Sequence, residues 1–144
     1  MENEKEINVL DELSKGASMG KDAIKFILEK VKDKGLEKEL KTQYQKYEEI
    51  AEKIKAIYPE YSEDEPHETN IVNKVMTWYG IEMKTLSDDT SSKLAELVMQ
   101  GTNMGIIEGR RLLNHKHTNP EINSLVQEYV DMQEDAVEAL KTFL

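Results

Sequence analysis

The sequence predicts an all-α protein: a four-helix bundle made of two related helical hairpins, with an extra helix in the long connection between them. Three observations carry that prediction. Apolar residues recur at three- and four-residue spacing along almost the whole chain, the period of a buried helix face. Only seven Gly and three Pro interrupt 144 residues, at places that suit helix ends and turns. The pattern Gly-x-x-Met-Gly occurs at Gly16, Met19 and Gly20, and again at Gly101, Met104 and Gly105, an offset of 101 − 16 = 85.

The first helix is expected over Ile7 to Val31, with Leu10, Leu13, Ala17, Gly20, Ile24, Ile27 and Val31 in one stripe. Lys32 to Gly35 reads as its turn, with Gly35 as a left-handed C-terminal cap. The second helix is expected over Leu36 to Tyr58, with Leu36, Leu40, Tyr44, Tyr47, Ala51, Ile54 and Tyr58 inward, and Pro59 ends it. Glu60 to Glu68 is acidic and reads as a loop. A third helix follows over Thr69 to Leu86, and Ser87 to Ser92 supplies short oxygen side chains that suit a helix start. The fourth helix is expected over Lys93 to Asn114, with a seam of Leu94, Val98, Gly101, Gly105, Glu108 and Leu112. Asn119 and Pro120 then form an N-cap and a first helical residue, because a proline lacks the N–H that would be unpaired there anyway. The fifth helix runs on to the C-terminus with Ile122, Leu125, Tyr129, Met132, Ala136, Leu140 and Phe143 inward.

The offset of 85 extends past the glycines. Without a gap it also pairs Leu28 with Leu113, Leu40 with Leu125, Tyr44 with Tyr129, Glu49 with Glu134 and Ala51 with Ala136. An internal duplication is expected. It divides a single domain, residues 1–144, into one hairpin at about 7–58, a crossover helix at about 69–86 and a second hairpin at about 93–144. A crossover helix of about 18 residues spans roughly 27 Å at 1.5 Å per residue, enough to return the chain to the starting end. The fourth helix then runs parallel to the second. With this topology and the repeated Gly-x-x-Met-Gly, the chain resembles the ferritin-like superfamily, and within it the small bacterial ferritin-like proteins of unknown function. The resemblance implies a bundle with one long crossover; it does not imply an activity.

Composition narrows the function classes. The net charge of −10, from 29 acidic and 19 basic residues, opposes binding to a phosphate backbone or an anionic lipid surface. There is no cysteine, so disulfides and thiolate metal sites are excluded. No signal segment or membrane span is evident, and a cytoplasmic protein is expected. Neither nucleic acid nor membrane is an expected partner.

The family's di-iron chemistry needs a Glu on each of two helices and Glu-x-x-His on each of the other two. No Glu-x-x-His occurs, the histidines are His67, His115 and His117, and Ala23 stands in the repeat position of Glu108. No metal and no other cofactor is expected. Glu108 falls on the predicted seam; it is either a buried carboxylate or, as we favour, a residue at the stripe's margin paired with Arg111. With histidines only at loop edges, no nucleophile–base set is apparent and no enzymatic activity is expected.

Each glycine inside a helix costs about 1 kcal/mol relative to alanine, so Gly16, Gly20, Gly101 and Gly105 call for a local reason. Close helix packing is the favoured one; a pocket lined by Met19 and Met104, or a dimer interface, are the others. The leading functional expectation is a non-enzymatic bundle acting through a protein partner or as a homodimer, with Met76, Trp78, Tyr79 and Met83 as contact residues or as core cover. The alternative is a metal or small-ligand binder using Glu108, Glu134 and neighbouring tyrosines.

Overall fold

The computed structural model describes residues 3–64 and 74–144, and these are helical with no strand among them. The helices are α1 (Glu4–Leu28), α2 (Lys34–Ile57), α3 (Lys74–Lys84), α4 (Ser91–His115) and α5 (Pro120–Lys141), with a 3-10 turn over Tyr58–Glu60. His67, part of the acidic loop and the expected start of the crossover helix lie outside the described residues, as does the side chain of Met76.

Helix ends follow local chemistry. The carboxylate of Asp33 accepts from the Leu36 N–H at 2.8 Å and starts α2. Thr90 Oγ1 accepts from the Lys93 N–H at 3.2 Å and starts α4. Asn119 Oδ1 accepts from the Ile122 N–H at 3.0 Å and starts α5, with Pro120 in its first turn as expected. Gly35 departs from expectation. It is the second residue of α2, and no described glycine has positive φ. The turn closes instead by the Lys30 and Val31 N–H groups donating to the Ile27 and Leu28 carbonyls. Because Asp33 caps the next helix, no left-handed residue is needed.

Among the four long helices α1 packs mainly on α2 and α4, α5 mainly on α4 and α2, and α1 and α5 also touch. Contacts at the ends set the directions. At one end Asn3 donates to the Tyr61 carbonyl and Asn119 to the Tyr61 hydroxyl. At the other, Lys32 pairs with Asp89 at 3.3 Å and Gly35 lies beside the Phe143 ring. Hence α1 and α5 run one way, α2 and α4 the other. The segment between α2 and α4 returns along the molecule, and its α3 packs on α1.

The buried seams are regular. In α1 the seam is Leu10, Leu13, Ala17, Gly20, Ile24 and Ile27, as predicted, with Gly20 half-buried. In α4 the same spacing gives Ala95, Val98, Thr102, Gly105, Gly109 and Leu112. Every member is the α1 position plus 85. Glu108 is therefore one step off the seam and exposed, where it pairs with Arg111 at 2.7 Å. In α2 the seam is Leu36, Leu40, Gln43, Tyr47, Ile50 and Ile54, all buried. The half-buried Tyr44 stands beside it, under the Lys25 ammonium. In α5 it is Ile122, Val126, Tyr129, Gln133, Ala136 and Leu140. Each is the α2 position plus 86, and so is the cap, 119 − 33 = 86. The gap-free offset holds for α1 and α4 only; the second hairpin's turn carries one residue more. The expected inward positions Tyr44, Ala51 and Met132 are half-buried, and their neighbours Gln43, Ile50 and Gln133 take the seam instead.

No described glycine is required by backbone conformation, so neighbours decide each one. Inside α3, a Cβ added at Gly80 would have nothing within 4 Å. Gly80→Ala is expected to stabilise the protein by about 0.5–1 kcal/mol, by removing backbone freedom from the unfolded chain. At Gly101 an added Cβ would overlap the Tyr79 hydroxyl, in a side chain with 0% exposure. Gly101→Ala is expected to destabilise by about 1–3 kcal/mol, the usual range for overpacking. Urea titration of both variants, read at constant slope, checks the two signs.

Candidate functional site

The middle of the molecule is built from glycines and the large side chains that lie against them. A Cβ at Gly16 would overlap the Tyr129 hydroxyl, and one at Gly20 would enter the Tyr47 ring. On α4, Gly101 faces the Tyr79 hydroxyl, Gly105 the Gln133 amide and Gly109 the Val130 methyl. The space left by each missing side chain is thus occupied from a third helix. Close packing at these glycines takes the form of side chains from α2, α3 and α5 seated on the bare backbone of α1 and α4. Tyr79 shows one benefit: its O–H donates to the Leu97 carbonyl at 2.8 Å, reaching helix backbone that a Cβ would have covered.

A cavity of about 640 Å³ lies between α1 and α4, with Tyr47, Tyr79, Tyr129 and Gln133 also among its lining residues. It is open at one side. All of the residues singled out from the sequence line it: Gly16, Met19, Gly20, Gly101, Met104, Gly105 and Glu108. Its walls are apolar, from Leu13, Ala23, Ile24, Val98 and Leu112. Its charged residues are Glu12, Lys15, Glu108, Arg111 and Lys116, with the exposed His115 beside them. They form exposed ion pairs, Lys15 with Glu12 at 3.5 Å and Arg111 with Glu108 at 2.7 Å.

The floor is polar and uncharged. Gln133 Nε2 donates to the Tyr47 hydroxyl at 3.2 Å and to the Tyr129 hydroxyl at 3.3 Å. The two tyrosine rings meet edge to face, 6.4 Å between centroids. Thr102 Oγ1 donates to the Val98 carbonyl at 2.8 Å and stands beside the Tyr47 hydroxyl. Gln133 itself is 2% exposed, and its Oε1 has no partner. A buried acceptor left unpaired costs about 1–3 kcal/mol. Turning the amide over would pair Oε1 with the hydroxyls and leave the NH2 unpaired, so one end of this side chain lacks a partner in either orientation.

Sequence reasoning located the walls and missed the floor. Gln133 sits among Tyr129, Ala136 and Leu140 at the 4-3-4 spacing of a buried seam, which was the available signal. The other residues assigned roles fall elsewhere. Glu134 pairs with Arg110 at 3.1 Å on the surface rather than joining the tyrosines. Tyr79 is core, not a contact residue, while Trp78 and Met83 are partly buried against that core. Among the described residues no three His, Asp or Glu side chains converge as a metal ion would require. No described helix is long and apolar enough to cross a membrane.

The tyrosines set the electrostatics. Burial pushes Tyr47, Tyr79 and Tyr129 above the usual phenol range; hydrogen bonding with Gln133 and Thr102 partly offsets this at Tyr47. The negative charge of Glu108 raises Tyr129 further. Outside the cavity, burial and the Asp11 carboxylate, which accepts from the Tyr58 hydroxyl at 2.8 Å, push Tyr58 up to about 12.

The chain was compared with protein-family models, curated proteins and solved structures, and none of them matches it.

The raised tyrosines set an alkaline limit. All four stay neutral in the folded protein at a pH where the unfolded chain, with phenols near 10, has begun to ionise. Their contribution is complete below pH 10 and is lost as pH rises through 12 and beyond. The melting temperature is therefore expected to hold steady between pH 8 and 9.5 and to fall above 10. Absorbance at 295 nm should show the buried tyrosines ionising together with unfolding. Early, unfolding-independent ionisation of all six tyrosines would contradict the burial.

Proposed function

We propose that this chain is a non-catalytic small-molecule-binding protein whose α1/α4 cavity holds a compact, mostly apolar ligand. The observation that carries the reading is the cavity itself, about 640 Å³, apolar along its walls and ending on a buried, half-paired Gln133. Pockets for small organic ligands fall at about 300–1,000 Å³, with a few placed polar groups among apolar walls. A binding role without catalysis is supported by the floor, which holds no carboxylate and no imidazole. The metal half of the original alternative loses its support, since both carboxylates invoked for it pair with arginines on the surface.

The same reading takes the architecture as a four-helix bundle of ferritin-like topology, derived from a duplicated hairpin. The reversed run of α4 relative to α1 and the matched seams favour it. The absence of cysteine suits a reducing, cytoplasmic setting.

The test uses N-phenyl-1-naphthylamine, a neutral apolar dye. Saturable one-to-one fluorescence enhancement is expected. Ala23→Phe, which places a ring inside the cavity, should weaken it about tenfold or more, equal to about 1.4 kcal/mol. Met104→Trp, at the partly exposed rim, should weaken it in the same direction without unfolding the protein. Absence of saturable binding, or binding indifferent to both changes, would remove the proposal.

One observation favours a second reading, self-association. Ile107 is 50% exposed and Met104 38% exposed at the rim, where a second copy would cover them. Light scattering should then give a dimer mass that falls to the monomer in Ile107→Lys; a monomer at the highest soluble concentration rejects it.

A further inference from the structure

Resting on the binding role proposed above, we infer that the ligand carries an uncharged hydrogen-bonding head, an alcohol or a primary amide, that seats on Gln133 and Tyr129 with its apolar body along the α1/α4 walls.

The head group follows from an inventory of the floor. Both N–H bonds of the Gln133 amide are taken by the two tyrosine oxygens, and Oε1 is left without a donor. The Tyr129 oxygen accepts from Gln133, which leaves its own O–H proton for an acceptor. The Tyr47 oxygen accepts in the same way, but its hydroxyl stands beside Thr102 Oγ1, which can take its proton, so the Gln133 acceptor and the Tyr129 donor are left free. An alcohol or a primary amide supplies the complementary donor and acceptor in one small group. With the Gln133 amide turned over, the free groups at the floor change but remain neutral, and the same two heads still satisfy them.

Charge excludes the obvious rivals. No cation lies among the floor residues, and a carboxylate placed there would lose its hydration without a counter-ion, a penalty of several kcal/mol. Nor does the rim attract an anionic head strongly. Lys15 and Arg111 are already matched by Glu12 and Glu108, Lys116 stands exposed in water, and charges this exposed contribute about 0–1 kcal/mol. A quaternary ammonium has no N–H and cannot donate to Gln133.

Competition against the bound dye decides between these heads on the intact protein. Decanol, decanamide, decanoate and decyltrimethylammonium share one chain length and are compared at pH 8, below micelle formation. Decanol and decanamide should displace the dye at concentrations about tenfold or more below the two charged compounds, about 1.4 kcal/mol. In Gln133→Leu the preference for decanol over decyltrimethylammonium should fall most of the way to one, read as a ratio of displacing concentrations at whatever dye affinity that variant retains. Tyr129→Phe should lose part of that preference. Dye binding with decanoate or the ammonium compound as the best competitor, or with no ranking by head group, overturns the inference and leaves the cavity reading standing. Failure of the dye to bind removes both.

Discussion

The fit of large side chains against bare helix backbone is the constraint on which the centre of this molecule depends. Tyr129 and Tyr47 reach α1 at Gly16 and Gly20; Tyr79 and Gln133 reach α4 at Gly101 and Gly105. A tyrosine ring is too long to end in a tightly packed interior unless something gives way at its tip. Here the missing Cβ atoms give way. The helices lose about 1 kcal/mol of propensity at each glycine. In return, wide aromatic surfaces are buried and a hydroxyl such as that of Tyr79 reaches a backbone carbonyl.

The cavity shares its parts with that same solution. The tyrosines and Gln133 come from α2, α3 and α5, seat on the glycines of α1 and α4, and also line the space between these two helices. Its polar floor and apolar walls are therefore not separately built. They are the two sides of one packing arrangement, which is why residues that secure the fold and residues that would hold a ligand are the same.

Much of the fold was legible in the sequence. The α1 stripe, the caps at Asn119 and Thr90 and the position of Pro120 are local signals, and local chemistry decided them. Most inward positions of α2 and α5 are legible too; Gln43 and Gln133 are not, because a glutamine among apolar residues looks like the edge of a stripe rather than its middle. Gly109 and Thr102 add little hydrophobic weight, so Glu108, flanked by Gly105 and Leu112 at the same spacing, took the seam position in their place. Gly35 was given a turn's conformation because glycine suits one; the Asp33 cap, three residues before Leu36, removed the need. The candidate site was half legible. Its glycines announced themselves by their cost, but which side chain enters each gap is settled by helices far away in the chain, and single-helix periodicity carries no record of that.

None of the described glycines is kept by its own backbone angles; nearly all inside the long helices are kept by a particular neighbour. The units of change in this protein are consequently pairs. Gly101 with Tyr79, Gly105 with Gln133 and Gly20 with Tyr47 are each a small residue and a large one sharing a single volume. A lineage cannot enlarge the first without shrinking the second, and either change alone passes through a strained or hollowed intermediate. Among diverged copies of this chain, such positions should drift in step, as exchanged volumes, while a glycine such as Gly80, which owes nothing to a neighbour, wanders freely.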